Sequence, residues 1–308
     1  GRDMRLAISR VEGYRNFGTK LWNAARFLEM NGCTRKATFV PSRVDLALNR
    51  WIVGATSRAA AQVAKAIEDY KFNEAANAAY DFVWGTYCDW YLELAKPVLT
   101  GDNAAEKLET QSTAAWVLDQ ILKLLHPFMP FVTEELWAET GKEGPARDRL
   151  LVISEWPMLT GLEDKAADAE IEWLIAVVSG IRSVRTEMNV PASAKINLVI
   201  VGAGADTGTR VEGQLQALQR LARLEEISYG SEVPKGSAQI VIGEATFALP
   251  LAGVIDLAAE QARLSKEIGK EQVEIDKIDK KLANPQFVEK APPEVIDEQR
   301  ERRADVVA

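Results

Sequence analysis

The sequence predicts a mainly α protein: an antiparallel helix bundle, then a small α/β module, then an antiparallel coiled-coil hairpin. Three observations carry that reading. From Val11 to about Thr140, apolar residues recur at three- and four-residue spacing with no strand-like alternation. Beyond Asp168 a β-branched alternating run, KINLVIV, sits between helical segments. From Leu257 onward a heptad runs through Leu257, Gln261, Leu264, Ile268, Glu271, Ile275, Ile278 and Leu282, flanked by Lys and Glu.

Within the first region, helices are expected over 10–31, 42–69, 72–95, 104–126 and 130–139. Pro41, Pro97, Pro127 and Pro130 are placed at the joints, where a missing N–H and a fixed φ do least harm. Short loops between long helices make neighbours antiparallel. Residues 141–148 read as a loop and 150–154 as a short strand. In the module, 170–189 and 211–225 read as helices, and 195–201, 239–242 and 246–251 as strands. The heptad helix stops at Asn284-Pro285, and a return helix starts after Pro292-Pro293. A two-chain coiled coil is the rival, and the Pro-bounded break favours the hairpin. Domains are drawn at 1–160, 161–255 and 256–308. The outgoing helix spans about 40 Å and the return about 25 Å at helical rise. The hairpin is therefore expected to be truncated, with 257–264 lacking a partner from its own chain.

Hydrophobic residues make up 47% of the 308, enough for a sizeable core. No apolar run is long enough to span a membrane, and the first residues hold no signal-peptide core. Cys33 and Cys88 lie far apart, so no zinc or disulfide framework is expected, and a reducing cytosol fits best. His126 is the single histidine, which leaves little material for His-based catalysis or metal binding. Net charge is −8, yet residues 1–60 hold 11 Lys and Arg against 4 Asp and Glu. That basic end is where a polyanion would bind.

The informative stretch is YRNFGTKLWNAARFLEM, residues 14–30. On a helical wheel Tyr14, Phe17, Leu21, Ala24, Ala25 and Leu28 form the core face. Asn16, Lys20, Asn23 and Phe27 share the opposite, polar face, which Arg15, Thr19 and Arg26 widen. Phe27 is a large aromatic centred among cations. Either it packs on a neighbouring helix, or a base stacks on it while Lys and Arg hold phosphate or base edges.

The run RNFGTKLWNAARF resembles the first helix of the anticodon-binding bundle of class I valyl-tRNA synthetases. LNRWI (48–52), LHPFMPFVTEELW (125–137), IRSVRTEMNV (181–190) and NPQFVEKAPPEVI (284–296) continue the resemblance over nearly the whole chain. The LHPFMPF run is shared with the related isoleucine and leucine enzymes. The first-helix run and terminal hairpin are similar to the valine enzyme in particular. The resemblance implies that this chain is the C-terminal, tRNA-recognising part of such an enzyme. By position, Lys20, Arg26 and Phe27 would contact the anticodon loop, with Asn16, Asn23, Arg15 and Arg10 as further contacts. The hairpin would reach the outer corner of tRNA(Val). The His-Ile-Gly-His-like and Lys-Met-Ser-Lys-Ser-like activation motifs are absent, so no catalytic residue is assigned. ATP would belong to catalytic and editing domains elsewhere in the parent chain. No cofactor or metal is expected here, and the chain is expected to be a cytoplasmic monomer. The rivals are a structural coiled-coil module that binds protein and no RNA, and the equivalent region of an isoleucine or leucine enzyme.

Other signals read as structural. Trp51, Trp84, Trp90 and Tyr91 fall on helical spacings as bundle core, and His126 as a helix-end residue. Arg182 and Arg185, beside Glu187, brace the module or touch tRNA. Strand KINLVIV running into Gly202-Ala203-Gly204 imitates a dinucleotide fingerprint, but Thr207 stands where the third glycine is required.

Overall fold

The computed structural model of the protein describes residues 8–284, 287 and 292–307. It is mostly helical with one small mixed sheet, and it divides into two units, 1–176 and 177–308.

The first unit is built from helices α1 (Ile8–Met30), α2 (Ala47–Glu68), α3 (Phe72–Asp81), α4 (Leu92–Thr100), α5 (Ala104–Leu125) and α6 (Pro130–Glu139), with the start of α7 (Lys165–Glu187). Local chemistry sets several ends. Gly32, at φ 67°, closes α1 with Cys33 N–H donating to the Leu28 carbonyl, a left-handed C-cap. The Asn103 side chain accepts from the amides of Ala105 and Glu106 and caps α5. Pro130 opens α6, where its missing donor would be idle. The start of α2 is held from outside: the Glu109 carboxylate accepts from the amides of Asp45 and Leu46.

A buried polar network ties this unit together. Asn49, fully buried, donates to Glu109 at 2.8 Å and to the Thr110 hydroxyl at 3.0 Å, and accepts from the Tyr91 hydroxyl at 3.1 Å. Every member is satisfied, so the network fixes which helices meet rather than penalising burial. A second tie is Arg147, which pairs with Asp119 at 2.7 Å, donates to the Thr140 hydroxyl and lies 3.4 Å above the Trp137 ring. It fastens the loop after α6, where Gly144 (φ 80°) leaves no room for a Cβ against the Arg35 carbonyl.

The structure corrects several expectations here. Helix 72–95 runs on to Thr100, and its middle, Phe82–Tyr91, is π-helical. Pro97 lies inside the last turns of α4 rather than at a joint, so only one bond near the helix end is lost. Residues 150–154 make no strand. Leu151–Ile153 form a 3₁₀ turn, because the Glu134 carboxylate accepts from the amides of Leu151 and Val152 and takes the donors a ladder would use. Tyr14, expected in the core, is 67% exposed. Trp51 and Tyr91 are buried as expected, whereas Trp84 and Trp90 are only half-buried.

In the second unit the sheet has strand order β2-β1-β4-β3. Strand β1 (Ile196–Val201) pairs parallel with β2 (Leu224–Gly230) and antiparallel with β4 (Ala245–Pro250). Strand β3 (Ser237–Ile242) forms a hairpin with β4. The expected helix over 211–225 is instead α8 (Ala205–Gly213), α9 (Leu215–Ala222) and the first residues of β2. Gln214 leaves helical geometry, and Arg223, at φ 53°, turns the chain into the strand.

Helices α10 (Leu257–Leu282) and α11 (Pro293–Val307) pack on one another. Glu274 pairs with Arg302 at 2.7 Å and Asp279 with Arg303 at 2.6 Å. Ile278 is buried, Ile275 and Leu282 are half-buried, and Ile268 is 69% exposed. The side chains of Leu257 and Leu264 lie outside the described residues.

Candidate nucleic-acid interface

Helix α1 divides its faces much as the wheel requires. Phe17, Leu21, Ala24, Ala25 and Leu28 are buried. Arg15, Asn16, Asn23 and Arg26 are exposed, and among the described residues no ion pair engages Arg15 or Arg26. Arg10 lies on α1, but its side chain is outside the described residues.

Lys20 and Phe27 are half-buried, and each meets a neighbouring element. The Lys20 ammonium sits 2.5 Å from an Asp89 carboxylate oxygen and 3.6 Å from the centroid of the Trp84 ring. Trp84 stacks on Tyr80 (5.7 Å, 13°), and Phe17 closes the cluster 4.8 Å from Tyr80. Lys20 therefore caps an aromatic cluster from the solvent side, a cation–π arrangement backed by a carboxylate. The Phe27 ring lies 5.7 Å from the Lys96 ammonium, which also pairs with Glu93. Its carbonyl accepts from the Asn31 side chain at 2.7 Å. Beside it on the helix, the Arg26 guanidinium is open to solvent. The arrangement is a partly open aromatic face with one free guanidinium and one nearby ammonium.

Lys96, Trp84 and Asp89 were not legible as parts of this surface. They come from α4 and the π-helical stretch, about seventy residues further along the chain. A stretch bonded i to i+5 does not project side chains where a 3.6-residue wheel puts them.

The remaining candidates are structural. Arg182 donates to the Leu221 carbonyl at 3.0 Å. Arg185, 8% exposed, donates to the carbonyls of Pro191 and Ala194 and folds the end of α7 onto β1's approach. His126 shares a 2.8 Å contact with the Thr133 hydroxyl at the end of α5. The glycine turn before α8 is filled by the protein itself. Glu244 accepts from the Thr207 hydroxyl at 2.7 Å and from the Gly204 amide at 3.3 Å, contacts that hold its carboxyl below the usual range. Where a phosphate would sit on a helix N-terminus there is already a carboxylate.

Cys33 and Cys88 are buried free thiols, both pushed up to about 12 by burial. Among the described residues no cluster of His, Cys, Asp and Glu could hold a metal, and no helix is long and apolar enough to cross a membrane.

With this geometry in hand, comparison with known proteins places the chain. Residues 49–200 match the anticodon-binding domain of tRNA ligase, and residues 256–308 match the valyl tRNA synthetase tRNA binding arm. Those are the tRNA-recognition modules of aminoacyl-tRNA synthetases. The chain is 54% identical to a valine--tRNA ligase of Agrobacterium fabrum over 99% of its length, covering 32% of that relative. It is 54% identical to one of Caulobacter vibrioides over 100% of its length, covering 34%. Against one of Rhizobium meliloti it is 56% identical over 99%, covering 32%. The chain belongs to the valyl-tRNA synthetase family, and it spans about a third of the length of these relatives.

Proposed function

We propose that this chain is the tRNA-recognition part of a valine--tRNA ligase. It binds the anticodon stem-loop of tRNA(Val) on α1 and the outer corner of the tRNA on the α10–α11 hairpin. The observation that carries this reading is the adjacency of exposed Arg26 and half-open Phe27 on a helix face rich in cations. Phe27 stacks on an unstacked base, Arg26 and Arg15 hold phosphates or base edges, and Asn16 and Asn23 offer further hydrogen bonds. Lys20 joins them by exchanging Asp89 for a phosphate, a small cost because exposed ion pairs are worth little.

The helices of the first unit act as an antiparallel bundle, and α10 with α11 as a coiled-coil arm. Boundaries at 1–160, 161–255 and 256–308 assign the sheet module to the connection between these two binding parts. ATP-dependent valylation belongs to catalytic and editing domains in the rest of the parent polypeptide, and this part needs no cofactor or metal of its own. We place the protein in the cytoplasm as a monomer. Titration at low salt with tRNA(Val) and with the same tRNA carrying a replaced anticodon tests the reading. Preference for the native anticodon is expected, and equal affinity for both would refute anticodon reading.

A further inference from the structure

Phe131 (91%), Leu150 (60%), Val152 (62%) and Ile153 (64%) are strongly exposed large apolar side chains of the first unit. They are not scattered. Glu134 lies one turn after Phe131 on α6, and its carboxylate accepts from the amides of Leu151 at 2.8 Å and Val152 at 3.1 Å. Leu151 is itself buried and anchors the turn from below. The 3₁₀ turn is thus pinned against the start of α6 with its apolar side chains outward. A pinned, solvent-facing apolar cluster marks an interaction surface more than a loose loop does.

Its place on the unit indicates what covers it. Met129, just before α6, lies 3.8 Å from where Gly18 of α1 would carry a Cβ. Further along, Trp22, Arg26 and Glu29 of α1 share the walls of one cleft with Leu136 and Glu139 of α6. The two helices therefore run in the same direction. The start of α6, which carries the cluster, thus meets α1 near Gly18, and Arg26 and Phe27 lie about 12 Å further along the same helix. The relatives that match this chain along its whole length are about three times as long. Most of such a polypeptide has to be accommodated against a recognition unit whose tRNA face must stay open.

We propose that the face formed by Phe131, Leu150, Val152 and Ile153 is the docking surface for the catalytic body of the full-length synthetase. This rests on the reading that the chain is part of such a synthetase. The cluster closes against that body, while the Arg26–Phe27 end of α1 projects away from it toward the RNA.

Hydroxyl-radical footprinting of the four side chains tests this directly, in the isolated chain and in the full-length synthetase that contains it. Labelling is expected to fall several-fold in the full-length protein, and equal labelling in both would overturn the proposal. Phe131→Asp with Ile153→Asp should leave the melting and tRNA affinity of the isolated chain unchanged. In the full-length protein the same pair should restore labelling at Leu150 and Val152. If the isolated chain shows protection that disappears on dilution, a second copy occupies the face and the proposal fails. Binding of tRNA by the isolated chain is read in the same samples. Loss of that binding alone would count against the RNA reading while leaving the docking face standing.

Discussion

Lys20 and Asp89 meet at 2.5 Å with the ammonium over the Trp84 ring, so the one lysine of the α1 face is already committed to a carboxylate in the free chain. The pair is partly exposed, and on the proposed reading an RNA phosphate would compete with Asp89 for the same ammonium. Asp89→Asn should therefore raise tRNA affinity, by about 0.5–1 kcal/mol, the usual scale of such pairs. Lys20→Ala should lower it. Fluorescence titration with labelled tRNA checks both, and a loss of affinity in Asp89→Asn would show that the carboxylate supports the interface.

Phe17 and Phe27 are two aromatic residues on one helix with different fates. Phe17 is 4% exposed inside the Tyr80–Trp84 cluster, so Phe17→Ala should cost about 3–5 kcal/mol of stability. Phe27 is only half-buried, and Phe27→Ala should cost clearly less. Thermal melts of the two variants decide, and equal destabilisation would make Phe27 a core residue.

Affinity for tRNA should fall steeply with salt although the net charge is −8. Removing a phosphate contact should flatten the log–log slope by about 0.7–0.9. Arg15→Ala and Arg26→Ala, measured between low and physiological salt, show which residue holds phosphate. A slope that neither changes would assign both to solvent.

Burial holds the Cys33 and Cys88 thiols protonated up to about 12. In the unfolded chain they ionise near 8.5. Their contribution to stability is thus complete below that value and declines as pH rises above it, because the unfolded state releases the protons more readily. Denaturant melts between pH 7 and pH 10 should show this loss, reduced in a Cys33→Ala, Cys88→Ala double variant relative to its own neutral-pH stability. Neither native thiol should react with an alkylating agent at pH 8.

Along α10, Ile278 is buried and Ile268 is open. Amide exchange should be slowest around Ile275–Leu282, where Asp279–Arg303 and Glu274–Arg302 clasp the return helix. Uniform protection back to Leu257 would mean that another surface closes the seam.

Much of this was legible in the sequence. Helices α1, α5 and α6 fell within two residues of their expected bounds because capping residues, prolines and apolar spacing agree there. The α1 faces were legible for the same reason, except at Tyr14. A wheel gives angular position only, and the first turns of α1 leave Tyr14 exposed. Strand β2 was hidden by Glu225 and Glu226, which break the apolar alternation on a sheet edge. The partners of Lys20 and Phe27 were hidden because they come from a π-helical stretch and from α4, and tertiary packing alone brings them to α1.

The central claim is that the Arg26–Phe27 end of α1 reads the anticodon loop. Its most direct test is binding of an isolated tRNA(Val) anticodon stem-loop to the wild-type chain and to Phe27→Ala at low salt. The account predicts saturable binding that the substitution weakens by roughly 1–3 kcal/mol, the range for loss of one stacked base. Identical affinities for the two proteins, with Phe27→Ala fully folded, would contradict it.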